Sequence, residues 1–228
     1  YDETFSISLL STQNATETVG TATATITDDD DLFTDFGDAP LPYPTTLAED
    51  GARHLETGLT LGLTRDSESD GTHSAAADAD GADEDGVTFG TMMVGALDAQ
   101  VTVNVQGAAP GAAKLDAWVD FNGDGSWGGP GEQIFSSHNV VDGDNVLTLD
   151  VPSYAIAGTT YARFRVSTAG GSGGLGVGGL AADGEVEDYQ VTIENPVATS
   201  GVFGGQNTIS TDADFAVSVF AADVDGDG

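Results

Sequence analysis

The sequence predicts an all-β fold: an antiparallel β-sandwich, jelly-roll or immunoglobulin-like, with long acidic loops and additional flanking strands. Three observations predict it. Helical periodicity is almost absent, and apolar residues alternate with polar ones over short runs. Turns rich in Gly, Asp and Pro separate those runs. Short strands punctuated in this way are the pattern of a sandwich.

Taken in order, residues 4–10 read as a strand with Phe5, Ile7 and Leu9 on one face. Residues 19–27 alternate small side chains with Thr and run into Asp28-Asp29-Asp30-Asp31. Further strands are expected at 99–105, 115–121, 145–151, 160–167, 186–194 and 213–222. Two stretches break the pattern. Residues 45–86 are acidic, poor in apolar side chains and too long for an ordinary loop. The run 169–180 holds Gly170, Gly171, Gly173, Gly174, Gly176, Gly178 and Gly179, and reads as a flexible hairpin tip or a binding loop. Both ends look unfinished: two strands before residue 32 make a hairpin that is marginal alone, and the last residues supply one strand and a loop.

Composition narrows the function classes. The 228 residues include 5 Lys+Arg against 38 Asp+Glu, a formal charge of −33 at pH 7. That balance excludes nucleic acid as a partner, because phosphates must be met by Lys and Arg. It also argues against docking on an anionic membrane surface, and no apolar run is long enough to insert into one. A compact chain with this charge repels itself unless counter-ions sit in it. There is no cysteine, so metal ions rather than disulfides are the expected staples of a secreted fold. The chain starts at Tyr1 with no visible signal peptide, and reads as a piece of something longer.

The acids cluster where calcium would use them. Calcium takes about 6 to 8 oxygen ligands, and Asp-x-Asp/Asn spacing with glycine wraps such oxygens around one ion. The sharpest case is Asp120-Phe121-Asn122-Gly123-Asp124-Gly125-Ser126, with Glu132 beyond. It resembles an EF-hand loop, although its Glu falls one place late and the loop leaves a strand. The predicted ligands are Asp120, Asn122, Asp124, Ser126 and Glu132. A second cluster supplies Asp66, Glu68, Asp78, Asp80, Asp83 and Asp85. A third, Asp223, Asp225 and Asp227, has DxDGDG spacing.

One further strand carries charge. Glu185 and Glu187 share one face of the segment 183–189, and Val186 and Asp188 share the other. The strand around Arg163 and Arg165 is expected to set its guanidinium groups opposite Glu185 and Glu187 as an exposed ladder.

The central segment resembles the GEVED domain of large secreted bacterial proteins. The residues that carry the likeness are Asp35-Phe36-Gly37-Asp38-Ala39-Pro40, His54, Leu61-Gly62, Asp66 with Glu68, and Asp83-Glu84-Asp85-Gly86-Val87. They continue through Ala117-Trp118-Val119-Asp120-Phe121-Asn122, Tyr161-Ala162-Arg163-Phe164-Arg165 and Gly184-Glu185-Val186-Glu187-Asp188-Tyr189. Residues 1–31 are similar to the closing strands of a Calx-beta domain. Residues 196–228 are similar to the start of an FG-GAP/VCBS repeat, with its calcium loop at Asp223–Asp227. On this reading residues 32–195 form the GEVED-like sandwich. The resemblance implies an extracellular, cell-surface adhesin or matrix protein and implies no reaction.

The function expected is therefore a calcium-stabilised structural or adhesive module with several bound Ca2+ ions. Strand edges left by the unfinished ends predict pairing with copies of itself or with neighbouring domains, head to tail, as a filament. The alternative is a carbohydrate- or protein-binding accessory module, with an exposed Trp127 stacking on glycans. No enzyme is expected. The histidines His54, His73 and His138 are scattered, no HExxH motif occurs, and acids that hold calcium make poor general acids.

Overall fold

The computed structural model describes residues 3–8, 21–26, 34–79, 81, 83–168 and 174–197. The chain divides into two units, Tyr1–Leu32 and Phe33–Gly228. In the first, β1 (Glu3–Ser8) and β2 (Thr21–Ile26) pair antiparallel, from Glu3 opposite Ile26 to Ser8 opposite Thr21. The expected strand 213–222, the run Asp28–Asp31 and the ligands Asp80, Asp223, Asp225 and Asp227 lie outside the described residues.

The described residues of the second unit form a largely antiparallel β-sandwich with a third, smaller sheet; the terminal pairings β14–β7 and β13–β4 are parallel. Its strands begin with β3 (Thr34–Phe36), β4 (Arg53–Leu55), β5 (Thr60–Leu61), β6 (Val87–Phe89) and β7 (Met92–Met93). They continue with β8 (Ala99–Gln106), β9 (Lys114–Val119), β10 (Gln133–Asn139) and β11 (Gly143–Leu149). The last are β12 (Gly158–Ser167), β13 (Leu180–Ala181) and β14 (Glu185–Glu194). One sheet has the order β10-β9-β12-β14-β7; the other runs β11-β8-β5, with β6 also on β8. Their facing side chains share one core. Val101, Val103 and Val105 of β8 meet Leu115, Ala117 and Val119 of β9 and Ala162, Phe164 and Val166 of β12 there. Alternation of β-branched residues places this stripe, because successive side chains of a strand point to opposite faces.

Strands β3, β4, β5, β6, β7, β10 and β13 lie outside the runs expected from the sequence. The strand β10 was not expected, because its pairing with β9 is broken by two register shifts that disrupt alternation. The acidic segment 45–86 is not wholly irregular: it contains β4, β5 and a short 3-10 turn, Leu47–Glu49.

The outer face of the five-stranded sheet is covered by residues 37–54 and by the described part of the glycine run, 174–180. Trp118 and Trp127 are buried there with Ala39 and Tyr43. The β12–β14 register places Arg163 opposite Asp188 and Arg165 opposite Val186. The expected ladder with Glu185 and Glu187 is thus corrected. Those two glutamates lie opposite Val166 and Phe164, on the other face of the sheet. Nor are the arginines exposed: both are buried.

Candidate metal centres

The loop leaving β9 builds the first centre. Asp120 sits at the strand's end, fully buried. Its Oδ1 accepts N–H bonds from Gly123 at 2.7 Å and Asp124 at 3.3 Å. Its Oδ2 accepts from the Tyr43 hydroxyl at 2.6 Å and from Gly125 N–H at 2.9 Å. Gly125 has a φ of +80°, and a Cβ there would lie 2.5 Å from Pro42, so the close turn requires glycine. Glu132 returns to the loop just before β10. Its Oε2 accepts the Gly129 N–H at 2.6 Å, while Oε1 is buried with no hydrogen-bond partner. Asp120, Asp124 and Glu132 each bring an oxygen within 4.8 Å of the others. Burial, and then the Asp120 and Asp124 charges, push the Glu132 carboxyl above the usual range. The side-chain oxygens of the other two predicted ligands accept N–H bonds inside the loop, Asn122 from Asp124 and Ser126 from Gly128.

A second group lies in the interior, where three distant segments meet. Asp35 of β3, Asp83 of the acidic segment and Glu185 of β14 bring carboxylate oxygens within 4.8 Å of one another. They are 1%, 6% and 0% exposed. Burial raises all three pKa values, Asp83 to about 6 and Glu185 to about 10, with Asp35 well above the carboxylate range. Neighbouring acids add to the shift: Glu185 and Glu68 act on Asp35, Asp66 on Asp83 and Glu187 on Glu185. Gly184 aims the strand. Its φ is +96° and a Cβ would lie 1.8 Å from the Val166 carbonyl, so only glycine turns the chain into β14 here.

Of the described members of the predicted second cluster, only Asp83 enters this group. Asp66 is exposed and donates its N–H to Asp83 Oδ2 at 3.3 Å. Glu68 accepts the Phe36 N–H at 3.1 Å. Asp78 accepts from the Ser74 hydroxyl, and Asp85 from the Leu63 N–H, both at the surface. The predicted ligand set omits Asp35 and Glu185. Their signal in the sequence was the pair of motifs Asp35-Phe36-Gly37-Asp38 and Gly184-Glu185-Val186-Glu187, which spacing alone does not bring together.

The outer face holds charge in a different way. Arg163 forms a bidentate pair with Asp188 at 2.7 and 2.6 Å, with both side chains at 0% exposure. Its guanidinium lies 4.5 Å above the Trp127 ring, and Nη1 donates to the carbonyls of Pro44 and Val177. Arg165 meets neutral acceptors: His54 Nε2 and the carbonyls of Gly176, Gly178, Gly179 and Arg53. The described part of the glycine run is therefore a backbone cradle for the guanidinium groups. An arginine nitrogen only donates, so His54 carries its proton on Nδ1, which donates to the Asp183 carbonyl at 2.7 Å. Trp127 is 3% exposed, stacked on Tyr43 with ring centroids 4.3 Å apart. The expected surface tryptophan for glycan stacking is corrected on this point: Arg163 and Tyr43 cover its ring.

Both acid groups offer oxygen alone, the donor chemistry of calcium and magnesium. Among the described residues no helix is long and apolar enough to cross a membrane. Residues 114–192 match the family model of the GEVED domain, a span from β9 almost to the end of β14 that includes Asp120, Glu132, Arg163 and Glu185. Comparisons with curated proteins and with solved structures give no match. The match supports a structural or binding module.

Proposed function

We propose that this chain is a calcium-stabilised structural or adhesive module of a secreted or cell-surface bacterial protein. The observation that carries the reading is Glu132. Its Oε1 is buried without a donor beside Asp120 and Asp124. A buried acceptor left unpaired costs about 1–3 kcal/mol, and more when charged. A cation bound by the three carboxylates removes that cost and closes the loop onto the start of β10. The likeness to the GEVED domain supports the extracellular setting.

Assembly with other copies by strand addition belongs to the same proposal, and β11 is the edge that suits it. The opposite candidate, β10, is interrupted by two register shifts, which blunt an edge. β11 pairs with β8 without interruption from Gly143 to Leu149 and exposes Val146.

Calorimetric titration of the chelator-stripped chain with calcium tests the reading, paired with melting curves in calcium and in chelator. Calcium is expected to raise Tm and protease resistance, and Glu132→Gln with Asp124→Ala to remove one bound ion. A chelator that leaves melting and protease resistance unchanged overturns it.

A further inference from the structure

We propose that Asp35, Asp83 and Glu185 form an interior calcium site, separate from the Asp120 loop, that ties β3 and the acidic segment to β14. Each carboxylate has one oxygen oriented by a main-chain N–H. Val186 donates to Asp35 Oδ2 at 2.7 Å, Asp66 to Asp83 Oδ2 at 3.3 Å and Leu61 to Glu185 Oε2 at 2.6 Å. The other oxygens of Asp83 and Glu185, Oδ1 and Oε1, are buried with no hydrogen-bond partner. This is the arrangement of ligands held by an outer shell: one oxygen fixes the group, and the other is left for the ion.

The occupant follows from what the pocket lacks. Three acids crowd together, with Glu68 and Glu187 close enough to act on them electrostatically. The Arg65 charge acts on Glu185, but its Nη1 donates to the Leu59 and Gly184 carbonyls and its Nε lies 3.9 Å from Glu56. A water molecule supplies two protons and no charge, so it leaves the repulsion in place. A divalent cation meets both the missing donors and the excess charge. Zinc and copper prefer nitrogen and sulfur ligands, none of which is present in the trio. Magnesium retains several waters and usually takes one or two carboxylates, whereas calcium accepts several at about 2.3–2.6 Å. Oxygens within 4.8 Å of one another can all be reached by one ion at those ligand distances. The site stands on its own residues and does not require the Asp120 loop to bind.

The test counts ions on the whole chain, stripped with chelator and titrated with calcium alone, for wild type, Glu185→Gln, Asp83→Asn and Asp124→Ala. Glu185→Gln and Asp83→Asn are each expected to lower the stoichiometry by one and to shrink the calcium-induced rise in Tm. In chelator, Glu185→Gln is expected to melt at or above wild type, because it removes one of three mutually repelling acids. Unchanged stoichiometry and an unchanged calcium shift in Glu185→Gln overturn the site. So does a Glu185→Gln chain that melts well below wild type in chelator, which would show the carboxyls stabilising one another without an ion. If Asp124→Ala alone removes all bound calcium, the interior site falls and the loop reading stands. If Glu185→Gln alone does so, the loop reading falls and the interior site stands.

Discussion

Asp188 and Glu185 lie three places apart on β14, both fully buried, and solve the burial of charge in opposite ways. Asp188 points to the outer face, where Arg163 grips both of its oxygens and Trp127 closes over the guanidinium. Glu185 points to the inner face, where the nearest groups of the trio are two further acids. The first arrangement carries its counter-ion within the chain. The second does not, and it becomes neutral only by taking up protons or a cation. One strand thus separates a self-sufficient ion pair from a group whose stability depends on the medium.

The largest expected effect breaks the self-sufficient side. Removing one partner of a buried pair leaves an uncompensated charge and costs about 3–5 kcal/mol. Arg163→Met or Asp188→Asn is expected to lower unfolding free energy by about that amount, read from chemical denaturation. The loss should be the same in calcium and in chelator. A loss that appears only in chelator would mean that the two faces are not independent.

Much of this was legible beforehand, and the exceptions share a cause. Alternation located β8, β9, β12 and β14 because each buries one face in a common core. The loop at Asp120 was legible because its acids are neighbours in the chain. Contacts such as the one between Asp35 and Val186, 151 positions apart, are set by the register of β14 and the path of β3, which local spacing does not report. The arginines were misplaced for the same reason. Strand parity correctly separated Glu185 from Asp188, but the register decided which of them met Arg163. Likewise Trp127 looked exposed until Tyr43 and Arg163 were packed on it.

The next prediction concerns the dependent side. A ligand that binds only the folded state contributes RT ln(1 + [L]/Kd), about 2.7 kcal/mol when free calcium is 100 times Kd. Wild type is expected to gain stability of that order per occupied site, measured as the shift in denaturation midpoint between chelator and excess calcium. Arg163→Met should keep the whole gain and Glu185→Gln only part of it. Equal gains in both variants would remove the contrast between the faces.

A smaller effect comes from the second guanidinium on the outer face. Arg165 has no carboxylate of its own and relies on His54 staying neutral. Burial, and then the Arg165 charge, hold the His54 pKa well below its usual value. The folded state therefore binds fewer protons than the unfolded chain once pH falls below about 6.5, the unfolded value. Stability from this site is complete above that pH and is lost on acidification, by at most about 1.4 kcal/mol per pH unit. The stability difference between wild type and His54→Gln, followed in denaturant from pH 7.5 to 5, is expected to shift against wild type as pH falls. A difference that stays constant would show that His54 remains unprotonated in the unfolded chain as well, or is charged in both states, and either result contradicts the buried neutral ring.

The smallest effect belongs to the Asp120 loop, which lies between the two extremes. Asp120 is held by four donors of the chain itself, so it is largely compensated, whereas Glu132 Oε1 is not. Tyr43→Phe removes one donor and leaves three. A hydrogen bond to a charged group contributes about 1.5–3 kcal/mol at most, and the remaining donors should reduce the loss to about 1 kcal/mol. Because the Tyr43 hydroxyl competes with any cation for Asp120 Oδ2, the same variant should hold calcium at this loop at least as tightly as wild type. Titration of Tyr43→Phe in a Glu185→Gln background isolates that affinity. Weaker binding there would mean that Tyr43 positions Asp120 for the ion, and that the loop, like the interior trio, depends on an outer shell to shape its ligands.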